Sequence, residues 1–282
     1  MSELKIRRIP FELEGVDFIW NPDDPVFSIW SNKISFLAVG FEKYICQAVA
    51  EAEKVIKDPV VLEEARRFRT QEGLHAAAHR LHIKALAAKY PGIERAMERC
   101  IEFYDDLYAT HDLKYHLGYV GGLESVFTPS MKLLIDNKEA LYAKGDIRVS
   151  SLFLWHFCEE IEHRSSALIV YNYVCRDSLY RLTHFKEFMS KSKQVLDIIT
   201  EEMRKTFPDM PAEWFTTDHR RNLPKNQRRK SERAILMAQL PWHNPRHEAL
   251  PPYYSEWSER YDRGEDVRRV YGTTPESPAE VA

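Results

Sequence analysis

Two Glu-x-x-His pairs carry the chemistry most visible in this sequence: Glu72 with His75, and Glu160 with His163. A carboxylate and an imidazole one helical turn apart can grip the same metal ion. Chance alone supplies about one such pair in a chain of this composition, so the pairs count only if the surrounding helices bring the same groups together. His156 lies four residues before Glu160, and the spacing i, i+4, i+7 puts His156, Glu160 and His163 within about 60° of one another on a helix. These polar residues interrupt an apolar stripe of Leu152, Ala167, Val170 and Val174, where charge needs a reason. Glu72 and His75 interrupt the stripe of Val61, Ala65, Phe68 and Leu86, and Glu42 interrupts that of Ala38, Ile45 and Val49. For any one of these residues, a hydrogen-bonded core polar group is the commoner explanation.

Level along the helices selects among the carboxylates. Groups that meet across an antiparallel hairpin lie equally far from its turn, and Glu42 with Glu72 centres on residue 57, beside Asp58-Pro59. Glu124 with Glu160 centres on residue 142, just before Gly145. Glu53 shares nearly the face of Glu42, but its mirror position falls near Leu62 rather than at the histidines. The order is therefore Glu, Glu-x-x-His, Glu, Glu-x-x-His, the ligand set of di-iron and di-manganese four-helix bundles. Four converging carboxylates repel one another strongly unless two divalent cations neutralise them. Two outer groups are expected to orient the imidazoles: His79, one turn beyond His75 on the same face, and Glu159. Each has a plain alternative, a core histidine for His79 and a surface carboxylate for Glu159.

The elements that must position these groups are helices. Ten glycines occur in 282 residues, none between Gly145 and Gly264, and apolar residues seldom alternate with polar ones over a strand length, so the chain reads as all-α. Helices are expected over residues 31–57, 60–89, 93–111, 112–143, 150–174 and 177–207, with irregularity in the fourth at Gly118, Gly121, Gly122 and Pro129. Residues 1–30 read as an irregular N-terminal arm, 31–207 as the helical metal-binding domain, and 208–282 as an irregular C-terminal extension with an aromatic cluster at Trp242, Tyr253, Tyr254 and Trp257.

Composition narrows the function classes. At 44% hydrophobic residues the chain can bury a core, and its formal net charge of -3 argues against a coat for nucleic acid or anionic membranes. No apolar run reaches membrane-span length and residues 1–10 lack a secretory apolar stretch, so a cytoplasmic protein is expected. Cys46, Cys100, Cys158 and Cys175 form no C-x-x-C and read as reduced thiols. The basic run from Arg220 to Arg233 reads as a solvated linker or a contact for phosphate or an acidic electron-donor protein, without any nucleic-acid motif. Tyr44, Tyr104 and Tyr171 read as core tyrosines, with a redox role near the metals as the alternative.

At its ligand positions the sequence resembles the ferritin-like non-haem di-iron proteins of the p-aminobenzoate N-oxygenase type, whose last helix carries H-x-x-x-E-x-x-H, matched by His156, Glu160 and His163. Over about residues 5–260 it also resembles the bacterial family of predicted metal-dependent hydrolases, through G-F-E-K-Y, Q-E-G-L-H-A-A-A-H and W-H-F-C-E-E-I-E-H. The resemblance implies a ferritin-like four-helix bundle core with extra helices, and the ligands Glu42, Glu72, His75, Glu124, His156, Glu160 and His163. It also implies two iron ions, with manganese or zinc as alternatives. The favoured expectation is an iron oxygenase that activates dioxygen to oxidise a small organic substrate, fed by an electron donor, with a homodimer as a further expectation. Metal-dependent hydrolysis is the competing enzyme reading. Iron storage and a metal-free helical interaction protein stand as alternatives from other classes.

Overall fold

Aspartate–proline pairs start the two longest helices. Asp24 accepts a hydrogen bond from the Phe27 amide and precedes Pro25, opening helix α1 over Pro25–Glu53. Asp58 accepts from the amides of Val60 and Val61 and precedes Pro59, opening α2 over Pro59–Lys89. The aspartate satisfies amides that a helix start leaves free, and proline fixes φ where no donor is needed. The first helix therefore begins at Pro25, inside the expected arm, rather than at residue 31.

The computed structural model describes residues 4–274. Residues 1–3 of the expected arm and residues 275–282 of the expected extension lie outside the described residues. After α2 come α3 (Glu94–Thr110), α4 (Leu113–Asp136), the short α5 (Lys138–Tyr142), α6 (Ile147–Glu162), α7 (Ser166–Cys175), α8 (Tyr180–Thr206), α9 (Lys225–Ala238) and α10 (Pro252–Asp262). No strand forms among the described residues, where Asp146 and Thr273 make an isolated parallel bridge. The fold is all-α, a helical bundle.

Antiparallel α1 and α2 make the most extensive helix pair, and α4 with α6 and α7 closes the bundle against them. Helix α3 covers α1 and α8, so α1 is buried around most of its circumference, through Phe36, Val39, Phe41, Tyr44, Ile45 and Val49. Glu42 is the only carboxylate among the buried residues of α1, and Glu124 the only one in α4.

Three expectations about the helices need correction. Helix α4 runs without interruption through Gly118, Gly121 and Gly122. Those glycines serve packing: a Cβ at Gly118 would lie 3.0 Å from the Tyr180 ring and one at Gly122 3.1 Å from Phe188, so α8 can approach only where side chains are missing. The expected helix 112–143 ends at Asp136 and restarts as α5, and the expected helix 150–174 breaks after Glu162. His163 caps α6, its amide still bonded to the Glu159 carbonyl at 2.9 Å, and α7 restarts at Ser166.

Residues 4–24 form a non-helical arm that buries Leu4, Phe11, Leu13, Val16, Phe18 and Trp20. The region after 208 is more ordered than expected, since α9 lies on α4 and α10 on α6. Its aromatic cluster divides: Trp257 and Tyr253 are buried, whereas Trp242 is 76% exposed. Much of the basic run is paired within the molecule, Arg221 with Asp24 and both Arg220 and Arg228 with Asp218. Among the described residues, no helix is long and apolar enough to cross a membrane.

Candidate metal centre

Each helix of the bundle brings its interrupting polar residues to one buried level. Glu42 comes from α1, Glu72 and His75 from α2, Glu124 from α4, His156 and Glu160 from α6, and His163 from the residue that caps α6. They fall into two groups. In Glu42, His75, His156 and Glu160, one nitrogen or oxygen of each lies within 4.8 Å of the others, and the same holds for Glu72, Glu124 and His163. None of the seven is more than 3% exposed.

Glu160 joins the groups. Its Oε1 lies 3.0 Å from His156 Nε2 and 3.4 Å from His75 Nδ1, while its Oε2 lies 3.3 Å from His163 Nε2. Around this carboxylate, Glu42 Oε1 stands 3.2 Å from His156 Nε2. On the other side His163 Nε2 stands 3.1 Å from Glu72 Oε1 and 3.5 Å from Glu124 Oε2. Glu53, the rejected competitor, accepts instead from Arg69 at 2.6 Å and joins neither group.

The outer nitrogens of the imidazoles are held by neighbours. His75 Nε2 donates to Glu159 Oε2 at 3.0 Å, leaving Nδ1 turned toward Glu160. His156 Nδ1 lies 2.7 Å from His79 Nε2, and His79 Nδ1 lies 2.9 Å from Ser35 Oγ, which is also 2.9 Å from His82 Nδ1. His163 Nδ1 donates to Gln71 Oε1 at 3.2 Å. A committed outer nitrogen fixes the tautomer and aims the inner one, as outer contacts do at metal-ligating histidines. Ser35, Gln71, His82 and the Arg7 that holds Glu159 are given no role by the sequence. Gln71 immediately precedes one Glu-x-x-His motif and Glu162 sits inside the other, so the motifs carried a usable signal for them. Arg7 lies in an arm without periodicity and carried none.

The fit to metal can be tested on the atoms that face inward. Glu42 Oε2, both oxygens of Glu72, His75 Nδ1, Glu124 Oε1, Glu160 Oε2 and His163 Nε2 are buried without a well-formed hydrogen bond. Folded proteins rarely leave such groups unsatisfied, and here they converge from four helices. Two divalent cations would match the charge of the four carboxylates, so the residues fit a dinuclear site. Titration in the metal-free protein reflects the same crowding. Burial, then Glu160, pushes the Glu72 carboxyl well above its usual range, and the same two causes raise Glu124 to about 7. Burial pulls His156 down, but hydrogen bonds to Glu160 and Glu42 outweigh it and raise it to about 9. Burial also opposes the charge of His163, and Glu160 with Glu72 overrides it and holds His163 well above the usual imidazole range.

Elsewhere the molecule offers less. The cleft of about 440 Å³ between α4 and α9, lined by Pro129, Leu133, Ser231 and Ala234, contains none of the seven residues. All four cysteines are free. Cys158 is buried and packs within the core. Tyr44 and Tyr104 are also core residues, and Tyr171 is buried with its hydroxyl on the Asp177 carbonyl.

Comparison with known proteins adds one finding. No curated protein and no solved structure matches the chain, so the likeness to ferritin-like proteins rests on the ligand motif alone. One family model does match, over residues 5–247, and its description is predicted metal-dependent hydrolase. That finding overturns the expectation of a dioxygen-activating iron oxygenase, and with it the oxidoreductase class. It favours the competing reading, in which metal serves hydrolysis. The match spans well over half of the sequence, and the chain belongs to the family of predicted metal-dependent hydrolases.

Proposed function

We propose that this protein is a hydrolase working with two divalent cations held side by side in the helical bundle. The observation that carries the reading is the convergence of seven buried side chains, four carboxylates and three imidazoles, six of which turn inward at least one buried atom without a well-formed hydrogen bond. Glu42, His75 and His156 would hold one ion and Glu72, Glu124 and His163 the other, with Glu160 shared between them. Bound there, the ions would supply Lewis acidity for the attack of water on an electrophilic carbonyl or phosphorus centre.

The protein's own part is to bind, aim and shield. Glu159 holds the Nε2 proton of His75 and Gln71 holds the Nδ1 proton of His163, so each imidazole presents its other nitrogen inward. His79 pairs with His156 Nδ1 and leaves Nε2 facing Glu42 and Glu160. Burial, with Phe68 against the His163 ring and Trp155 against the His75 ring, keeps bulk water from the carboxylates and strengthens every charge interaction among them. The donor set suits zinc, manganese or ferrous iron.

Metal content per chain, by mass spectrometry on protein prepared with these metals supplied and without chelator, is the first test. About two ions per chain, together with metal-dependent cleavage of an activated ester or phosphoester that Glu160→Ala abolishes, is the expected result. A well-folded protein with no bound metal would overturn the reading. Bound metal with no hydrolysis across ester, amide and phosphoester probes would leave the centre but reject the hydrolase.

A further inference from the structure

We propose that Arg7 is a shared positioning residue for the two metal sites, acting on His75 through Glu159 and on His163 through Glu162 and Gln71. The inference rests on the reading of the seven residues as metal ligands. Its starting point is a fully buried guanidinium in the non-helical arm. Arg7 Nη1 donates to Glu159 Oε1 at 2.9 Å, and the other oxygen of Glu159 accepts from His75. Arg7 also grips Glu162 through both terminal nitrogens, at 3.0 and 2.8 Å. Glu162 Oε2 accepts from Gln71 Nε2 at 2.7 Å, and Gln71 Oε1 takes the outer proton of His163. One cation thus stands behind an imidazole of each group.

The arrangement suits a fork-shaped donor. Arginine presents several N–H groups in a fixed plane, so it can address two carboxylates at once, whereas lysine offers a point charge. Burial opposes the charge on Arg7, but hydrogen bonds and the charges of Glu162 and Glu159 override it and hold the group protonated. The clamp is built from both sides. Trp257 and Tyr261 of α10 lie under the guanidinium at 5.1 and 5.6 Å, Tyr254 donates to Glu162 at 2.7 Å, and Gln71 also binds the carbonyl of Lys5. Losing Arg7 would free Glu159 and Glu162 to turn, and with them the imidazoles that they and Gln71 orient.

Cobalt(II) titration followed by visible absorption tests this, with metal content and the melting temperature of the metal-free protein measured alongside. The unaltered protein is expected to bind two cobalt ions. Arg7→Gln should weaken both sites by about tenfold or more, Gln71→Ala should weaken only the site that contains His163, and Arg7→Lys should recover part of the loss. A purely structural role for Arg7 would lower the melting temperature of the metal-free protein and leave cobalt affinity unchanged. That outcome, or weakening of a single site by Arg7→Gln, overturns the proposal. Should Arg7→Gln fail to fold, Arg7→Lys decides in its place: reduced affinity at both sites supports the shared role, and unchanged affinity rejects it. If the unaltered protein binds no cobalt, the metal reading itself has failed, whereas two bound ions insensitive to Arg7 would reject this inference alone.

Discussion

The two halves of the candidate centre bring different side chains together. One group sets two imidazoles, His75 and His156, beside Glu42, while the other sets a single imidazole, His163, beside Glu72 and Glu124. Their backing differs as well. The first is supported by Glu159 and by the buried series His79, Ser35 and His82, and the second by Gln71. Nitrogen-rich surroundings favour zinc and ferrous iron, and carboxylate-rich ones are also at ease with manganese. The asymmetry teaches that the two positions should differ in affinity, with Glu160 as the element they have in common.

Glu160→Ala removes that common element, and it should erase the contrast altogether, leaving a metal-free protein whose hydrolysis falls by about a thousandfold or more. Single-sided changes come next. Glu72→Ala should leave about one metal ion per chain, retained by the nitrogen-rich group, and His156→Ala about one retained by the other; equal loss of both ions from either variant would show that the division is false.

Acid should act on both halves in the same direction. His156 is raised to about 9 and Glu124 to about 7 in the metal-free protein. Both therefore hold protons that an entering cation must displace: His156 throughout pH 6–8, and Glu124 increasingly below 7. Metal affinity measured at pH 8 and at pH 6 should fall with acid by about tenfold per unit for each proton displaced. His79→Ala leaves all seven inner residues in place, and is expected to weaken only the nitrogen-rich site, by about 10- to 100-fold in metal affinity. Glu53→Ala should change metal content within error, because Glu53 is engaged with Arg69 outside both groups.

Helix periodicity made the inner residues legible because they break apolar stripes at a common distance from two turns. The same reasoning passed over Glu53, whose mirror position holds no histidine. Helix ends were harder to read. Asp58-Pro59 was recognised as a boundary, yet Asp24-Pro25 has the same chemistry and went unread among the aromatics and prolines around it. The break after Glu162 escaped notice because His163 keeps the amide bond of a helical residue, so its spacing from Glu160 survives the end of α6. Glycines in α4 were read as weakness when their role is to admit the rings of α8. Arg7 was invisible for a different reason: its partners lie on α6 and α10, and no local pattern encodes a contact made across most of the chain.

That distance bears on how the molecule assembles. Arg7 meets Ser258 of α10 across 251 positions, and Lys5 meets Asp262 across 257. Closing loops of this length carries a large entropic cost before any contact rewards it, and nonlocal contacts slow folding. The α1–α2 hairpin can form from neighbouring sequence while the guanidinium still awaits α6 and α10. Maturation of the centre is thus expected to be a late event, completed when the clamp behind His75 and His163 closes.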